Sequence, residues 1–371
     1  MKKLTALFLG LVFASGCLGC SSQQAETGKT DEVQKESSAA GENSGTQKEG
    51  SSQVQDGDAA GSGENSAEAE GGKEESAYEF SRYAKTVPIV YMSSEITPRA
   101  LLKLYKSFDR EVEGNNTAVQ ISFIETQSGS GLQPELVRDL VQFVDGTITG
   151  CSSTDSRFGT GMDRYQQTGR GFAEIAKIDI MDAEGSITIP VAGGRHLSKN
   201  YVGSHFTDYD GFLVLSHFRR HEIAGFGGAV SNLSVGISSA EGKCMIYTAG
   251  RSRTSLEGSD QDSFLESMAE AGKSVVDALE GNILYVNIMN ALSLGCDCDG
   301  TQSGSDVHDI GIFASDDPVA LDQACVDYVY MAQDSGDFVE QIEEMNAEYV
   351  LEYGEEIGLG DCAYTIISID D

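Results

Sequence analysis

Two histidines and three glycines lie close together in the part of this chain best suited to chemistry. The apolar run Phe212–Leu215 is typical of a buried strand, and His217 and His221 follow it. Imidazole titrates nearest to neutrality, so either histidine can transfer protons or, when neutral, ligate a metal. Glycines let a backbone approach a ligand closely and direct several N–H groups at one anion. Those that follow here are Gly225, Gly227 and Gly228.

The position after a strand predicts a binding site, because open α/β folds bind ligands at the carboxyl ends of their strands. We expect His221, with His217 beside it, to act as a general acid or base, and the Gly225–Gly228 amides to stabilise an anionic group. Arg219 and Arg220 would orient a carboxylate or phosphate. The alternative is a glycine-stiffened turn with ordinary histidines and solvated arginines, because the stretch completes neither a P-loop nor a dinucleotide-binding fingerprint.

A second candidate site begins at Cys296-Asp297-Cys298-Asp299-Gly300, with His308 a short distance downstream. Two sulfurs and an imidazole suit zinc or a similar metal, with Cys296, Cys298 and His308 as ligands. An oxidised Cys-x-Cys ring would instead support thiol redox exchange. The third alternative is an acidic turn with two thiols or a structural disulfide. No Cys-x2-Cys-x2-Cys run occurs, so we do not expect an iron–sulfur cluster.

The first residues predict export. A positive n-region and the apolar run Leu4–Phe13 are followed by Ala14-Ser15-Gly16 and then Cys17. This order is typical of a secretory signal over residues 1–16, and it is too short to span a membrane. Small residues before a cysteine resemble a bacterial lipobox, so we expect a lipid on Cys17 to hold the protein on the extracytoplasmic face of the cell membrane. The alternatives are Cys20 as the lipidated residue, or cleavage and release.

Composition divides the rest of the chain into two parts. Residues 17–77 are rich in Ser, Gly, Glu and Gln and contain no aromatic residue, which predicts a disordered acidic linker because such a segment cannot bury enough apolar surface to offset its ordering entropy. Residues 78–371 suffice for one large domain. The formal net charge of −34 argues against nucleic acid as a partner, since phosphate backbones require a basic surface.

Apolar runs and helical periodicity alternate along residues 78–371, which predicts an α/β domain with a largely parallel or mixed sheet and flanking helices. The predicted strands are Ile89–Met92, Ala118–Ile124, Thr147–Cys151, Ile178–Met181, Ile187–Val191, Phe212–Ser216, Ile283–Met289, Ile310–Ala314 and Thr365–Ile369. The predicted helices are Arg99–Glu111, Glu135–Val144, Asp163–Ala176, Phe264–Leu279, Val319–Tyr330 and Phe338–Tyr353. Ser263 and Glu266 have capping-box spacing. Asp316-Asp317-Pro318 has the acidic cap and early proline typical of a helix start.

Several blocks together resemble the family known as domain of unknown function 362 (DUF362). They are SHFRRHEIAGFGGAVSN, EGKCMIYTAG, FLESMAEAGKSVVDAL, CDCDG and HDIGIFASDDPVALDQACVDYV, and the resemblance runs from about Val87 to Asp371. Many members carry a ferredoxin-like insertion with two cluster-binding cysteine runs. Here Gly250 passes to Phe264 without one, so the chain resembles the short, cluster-free form. The resemblance implies a fold but no defined activity.

The spacing His-x3-Gly-Phe-x-Gly-Gly is also similar to a block of the nickel-pincer lactate racemases, and this resemblance implies that His221 transfers a proton. In those enzymes a lysine ten positions later carries the cofactor, and a histidine sixteen further on ligates nickel. The matching positions here hold Ser231 and Tyr247. A serine has no amine to tether the cofactor and a phenol is a poor nickel ligand, so we do not expect the nickel-pincer nucleotide.

Three functions remain open from the sequence. The first is an enzyme that uses His221. The second is a surface-anchored binding protein for a small molecule or a metal. The third is a thiol redox protein that uses Cys296 and Cys298. The sequence names no cofactor for any of them.

Overall fold

An eight-stranded mixed sheet organises the computed structural model, which describes residues 87–121, 132–152, 171–293 and 305–370. In chain order the strands are β1 Ile89–Ser93, β2 Thr117–Ile121, β3 Thr147–Gly150, β4 Ile178–Ile180, β5 Ser186–Pro190, β6 Lys199–Gly203, β7 Gly211–His217, β8 Arg219–His221, β9 Gly225–Gly227, β10 Ile283–Met289, β11 Leu292–Ser293, β12 Ser305–Val307, β13 Gly311–Ser315 and β14 Thr365–Ser368. The large sheet has the order β14-β1-β13-β10-β7-β2-β3-β4. Strand β13 runs antiparallel to β1 and β10, and all other neighbours are parallel. The predicted α/β class with a largely parallel or mixed sheet is confirmed.

Eight α-helices accompany these strands in the described residues. They are α1 Pro98–Tyr105, α2 Pro134–Phe143, α3 Ala229–Ser231, α4 Ala240–Tyr247, α5 Gln261–Ala278, α6 Pro318–Met331, α7 Gly336–Glu344 and α8 Tyr349–Glu356. A π-helical turn, Asn232–Gly236, continues α3 directly, and 3-10 turns occupy Phe172–Glu174 and Ser204–Asp208. None of the helices in these residues is long and apolar enough to cross a membrane.

The sheet is covered on both faces, which explains why its central strands are uniformly apolar. Along β7, Leu213 and Leu215 pack into a core shared with α1 and α2, whereas Phe212 and Val214 pack into the core beneath the helices that follow β9. This alternation follows from the two-residue period of a strand. All seven residues of β7 are buried.

Several predicted helix boundaries are wrong, and each difference has a local cause. The predicted helix Phe338–Tyr353 is two helices, α7 and α8, because Asn346 between them adopts a left-handed backbone with φ of 49°. The cap of α5 is Asp260, whose carboxylate accepts from Ser263 N at 3.0 Å, so the expected capping box of Ser263 with Glu266 does not form. The cap of α6 is Asp317, as predicted.

Two further helix predictions hold only in part. The helix expected over Arg99–Glu111 ends at Tyr105, where Lys106 forms its C-cap. Of the helix expected over Asp163–Ala176, the described part contains only the 3-10 turn Phe172–Glu174. The predicted signal and linker, with Cys17 and Cys20, lie outside the described residues, and so do Cys296 and Cys298.

Candidate functional site

The stretch that follows β7 folds into a short hairpin that leads directly into α3. Strands β8 and β9 pair antiparallel, with Arg219 opposite Gly227 and His221 opposite Gly225. Phe218 and Phe226 stack with their ring centroids 5.4 Å apart, and this pair anchors the hairpin on the core. The hairpin therefore stands at the carboxyl end of β7, where the sequence places a binding site.

The three glycines of the hairpin region have different roles. Gly225 has a φ of +79°, and a Cβ there would lie 2.4 Å from Ala347 Cβ. At Gly228, a Cβ would lie 2.3 Å from Asp322 Oδ1. At Gly227 a Cβ would meet nothing closer than Ser231 Oγ at 3.4 Å and would lie 4.0 Å from His221 Cβ. Two glycines are thus required by close packing, whereas a Cβ at Gly227 would make only ordinary van der Waals contacts; we call the partly exposed region that borders Gly227, Ser231 and His221 the Gly227 gap.

An internal carboxylate binds the amide groups at the start of α3. Asp322 Oδ1 accepts from Ala229 N at 2.7 Å, and Oδ2 accepts from Val230 N at 2.9 Å. Asn287 Nδ2 donates to Oδ1 at 2.6 Å. Burial raises the pKa of Asp322 to about 6, although the hydrogen bonds oppose the shift. The anion at the N-terminus of this helical segment is therefore the protein's own side chain.

His221 is held in a defined orientation at the tip of the hairpin. Its Nδ1 lies 3.2 Å from Ile223 N and 3.0 Å from Ala224 N, and both backbone groups donate to it. A nitrogen that accepts these bonds carries no proton, so in the neutral ring the proton lies on Nε2. The side chain is half-buried. The arrangement makes Nε2–H the hydrogen-bond donor of the neutral ring.

His217 and Arg219 lie in more enclosed surroundings than His221, whereas Arg220 is half-buried as His221 is. His217 is buried, and its Nε2 donates to the carbonyl oxygen of Asn290 at 2.5 Å. Arg219 is also buried, not solvated. Arg220 is half-buried, and its Nε donates to Gln341 Oε1 at 2.6 Å. The structure thus brings the predicted residues into one hairpin, with His217 bonded toward β10 and Arg220 bonded to α7.

Ser231 and Tyr247, which replace the cofactor-binding residues of the pincer enzymes, both have local partners. Ser231 Oγ accepts from Gly228 N and donates to Gly228 O, each at 3.0 Å. Tyr247 stacks on Phe264 with their centroids 4.9 Å apart, and burial raises its pKa to about 12. Ser231 borders the Gly227 gap, whereas the Tyr247 ring packs against α5.

Sequence reasoning missed a row of buried polar side chains that crosses the sheet beneath α3. Thr149 Oγ1 donates to Gln120 Oε1 at 3.1 Å, and Gln120 Nε2 donates to Asn232 Oδ1 at 3.2 Å. Asn232 Nδ2 then donates to Ser216 Oγ at 3.1 Å. The row joins β3, β2, the π-helical turn and β7. Its signal in the sequence is a single polar residue inside each apolar strand, which is visible but does not reveal that the residues meet.

The second candidate site is described only at His308. The side chain is exposed, and its Nδ1 lies 2.9 Å from Asp334 Oδ1. The hydrogen bond lowers the pKa of Asp334. Within the ranges that the structure describes, no group of three or more His, Cys, Asp or Glu side chains is arranged to hold a metal ion. The predicted ligands Cys296 and Cys298 lie outside those ranges, so the metal site stays a prediction.

Comparison with known proteins identifies one family. The profile described as "Domain of unknown function (DUF362)" matches residues 118–327, more than half of the chain. This range includes the hairpin, the polar row and Asp322. No curated protein sequence matches the chain significantly.

Two solved structures resemble the chain at low identity. One is a lactate racemase apoprotein from Thermoanaerobacterium thermosaccharolyticum, with 14% identity, a TM-score of 0.40, and coverage of 65% of this chain and 56% of that one. The other is a protein from Thermotoga maritima, with 12% identity, a TM-score of 0.33, and coverage of 70% and 58%. The chain thus spans less than two thirds of either protein. A likeness at this level does not extend to activity.

Proposed function

Because the chain belongs to the DUF362 family, whose name carries no activity, we propose a function from its own residues. The protein binds a small molecule in the Gly227 gap, where His221 donates a hydrogen bond through Nε2–H. A carbonyl or carboxylate oxygen is the matching acceptor. The observation that carries this proposal is the pair of backbone N–H groups on His221 Nδ1, since they orient the ring and assign its tautomer.

The geometry around the gap supports a small ligand. Gly227 and Ser231 are half-buried, as His221 is, so the three residues face accessible space. A Cβ on Gly227 would lie 3.4 Å from Ser231 Oγ and 4.0 Å from His221 Cβ. These are ordinary contact distances, so Gly227→Ala would add a methyl group beside His221 without displacing the backbone.

The tautomer is the first test. Long-range ¹H–¹⁵N spectra of the protein at neutral pH should show a neutral His221 ring with protonated Nε2 and unprotonated Nδ1. His221→Gln identifies the signal by its loss, and His308→Gln, at an exposed histidine, serves as the control. The opposite tautomer would remove the hydrogen-bond donor at Nε2 and refute the proposal.

Ligand binding is the second test. Thermal unfolding of the protein should be screened against small carbonyl compounds and hydroxy acids, and any stabilising compound should lose its effect in Gly227→Ala and His221→Ala. Gly336→Ala is the matched control, because a Cβ there meets nothing within 4 Å. A compound that stabilises Gly227→Ala as well as the wild type binds elsewhere, and that result counts against the gap.

Export and lipid anchoring complete the proposal, and their support is the order of n-region, apolar run and small residues before Cys17. Cells that express the wild-type chain should incorporate labelled palmitate into the protein. Cys17→Ser should abolish the label, whereas Cys20→Ser should retain it. Equal labelling of Cys17→Ser and the wild type would contradict the assignment of the anchor.

A further inference from the structure

Lys243 is a buried lysine in a position that the proposed function does not use. It lies in α4 and is 6% exposed. Lysine is almost never fully buried unless it is paired, because an ammonium group loses strong hydration when it leaves water. Its Nζ donates to Ser238 O at 2.5 Å. Among the described residues, no carboxylate oxygen lies within the 4.0 Å of Nζ that defines an ion pair.

The hydrogen bonds of Lys243 leave part of its capacity unused. An ammonium group has three N–H donors, and the bond to Ser238 O accounts for one of them. A buried charge with a single neutral acceptor destabilises the fold, whereas an anion that binds the remaining donors would offset that cost. The side chain therefore has both the charge and the free donors to hold an anion.

The surroundings of Lys243 place it at the edge of the sheet where ligands bind. Cys151 directly follows β3, and its Sγ donates to Ile237 O at 3.1 Å. Burial raises the pKa of Cys151 to about 12, and the nearby Lys243 ammonium opposes that shift. The thiol is therefore neutral and offers no thiolate to pair with the lysine. The carboxyl ends of parallel strands are the usual ligand-binding edge of an open α/β sheet.

Asp182, a carboxylate close to this edge of the sheet, has hydrogen-bond partners of its own. Asp182 follows β4; its Oδ1 accepts from Ser152 N at 2.8 Å, and its Oδ2 accepts from Ala240 N at 3.3 Å. These bonds tie the residue after Cys151 to the first turn of α4, and Asp182 forms no ion pair within 4.0 Å of Lys243 Nζ. The cation is thus fixed in place by the fold without being neutralised by it.

We infer that Lys243 anchors a second binding site, which takes the carboxylate or phosphate group of a small molecule. The site does not depend on the Gly227 gap. Helix α3 and the π-helical turn together span eight residues between the two regions, about 12 Å at about 1.5 Å per residue. The formal net charge of −34 repels anions in general. We therefore expect the site to select small anions, which can contact the Lys243 ammonium group directly.

The test measures anion binding by the full-length protein. Inorganic phosphate and malonate are titrated separately, and the shift in unfolding temperature gives the affinity of each. Lys243→Met removes the charge and keeps the length of the side chain, and should weaken binding at least about tenfold, or about 1.4 kcal/mol. Lys273→Met, at a partly exposed lysine paired with Asp277, is the matched control and should bind as the wild type does.

The outcomes separate the two sources of anion and expose failure. A Lys243-dependent response to phosphate alone assigns a phosphate ester, and a response to malonate alone assigns a carboxylic acid. If neither anion stabilises the wild type, or if Lys243→Met responds equally, the inference is overturned. Because His221 is not involved, His221→Ala should keep the anion response.

A second measurement avoids variants altogether. The wild-type protein is treated with an amine-acetylating reagent, with and without the anion that stabilises it, and the extent of modification at Lys243 is read by peptide mass spectrometry. The anion should slow modification of Lys243 several-fold and leave Lys273 unchanged. Equal rates at Lys243 with and without the anion would contradict binding there.

Discussion

Alanine substitutions at two adjacent glycines should have very different effects on stability. Gly228→Ala places a methyl group 2.3 Å from Asp322 Oδ1 and 2.8 Å from Phe218 Cδ2. Both neighbours are buried, so neither can move into solvent. Gly227→Ala, one residue earlier, meets its nearest atom at 3.4 Å. The same chemical change is thus tested in a closed and in an open position of one loop.

The magnitude follows from what the methyl group at position 228 displaces. Overpacking of a core costs about 1–3 kcal/mol. If Asp322 retreats, its bonds to Ala229 N and Val230 N also weaken, and bonds to a charged acceptor contribute about 1.5–3 kcal/mol each. Because alanine lowers the conformational entropy of the unfolded chain, the substitution also stabilises the fold by about 0.4–1 kcal/mol. We expect Gly228→Ala to lower the free energy of unfolding by about 3 kcal/mol or more, and Gly227→Ala to change it by less than about 1 kcal/mol.

Urea denaturation followed by far-UV circular dichroism measures both variants, and hydrogen exchange at the amides of residues 229 and 230 reports the contact directly. Exchange at these amides should accelerate in Gly228→Ala and stay slow in Gly227→Ala. A Gly228→Ala protein as stable as the wild type would refute the claim that Asp322 occupies the start of α3. Equal destabilisation by both substitutions would show that the loop tolerates no side chain, and it would contradict the space for a methyl group at Gly227.

Three further predictions concern other residues. Burial raises the pKa of Asp322 from 3.8 to about 6, so its contribution to stability is full below about pH 4 and is lost as the pH rises through about 6. The loss amounts to about 3 kcal/mol, at about 1.4 kcal/mol per pKa unit. Asp322→Asn should flatten this part of the profile of urea midpoint against pH, and an unchanged profile would contradict the prediction. Asn346→Gly should unfold at the wild-type urea concentration or above it, whereas Asn346→Val should lose about 1–2 kcal/mol, because its φ is 49°. Tyr353→Phe removes a 3.0 Å bond to the buried Glu270 and should cost about 1 kcal/mol in the same assay; no loss would mean that the bond contributes nothing.

The large sheet could be predicted because its signal is local. Strands such as β7 and β10 are mostly apolar segments of seven residues, and both are buried throughout. The hairpin of β8 and β9 could not be predicted as strands, because Arg219–His221 has no apolar alternation. Its position depends on Phe218 and Phe226, which stack only after the chain has turned back on itself.

Helix boundaries failed where a single residue outweighs periodicity. The apolar pattern continues through Asn346, but its left-handed backbone ends α7, and its side chain donates to Asp262 Oδ1 at 2.9 Å. The expected capping box failed for a related reason. Glu266 instead accepts from Arg195, His196 and Tyr349, which lie far away in sequence.

The candidate site could be located from the sequence, but the roles of its residues could not. The glycines predicted that the Gly225–Gly228 amides bind an anion, and this stays a prediction; the amides that bind a carboxylate in the structure are those of Ala229 and Val230. The carboxylate that binds these amides, Asp322, lies 93 residues from Ala229, and the sequence around the glycines does not indicate that it binds there. Lys243 could not be recognised from the sequence either, because a lysine is expected to be exposed until its packing is known.

The order of the strands determines when this domain can finish folding. Strand β1 is the first described strand of the chain, yet its two neighbours in the sheet are β13 and β14. Ile89 pairs with Thr365, so contacts at the start of the domain wait for residues near its end. A chain that is still being synthesised therefore cannot complete the sheet until β14 is available. Deletion of β14 should leave β1 with one uncovered edge, so completion of the domain depends on this strand.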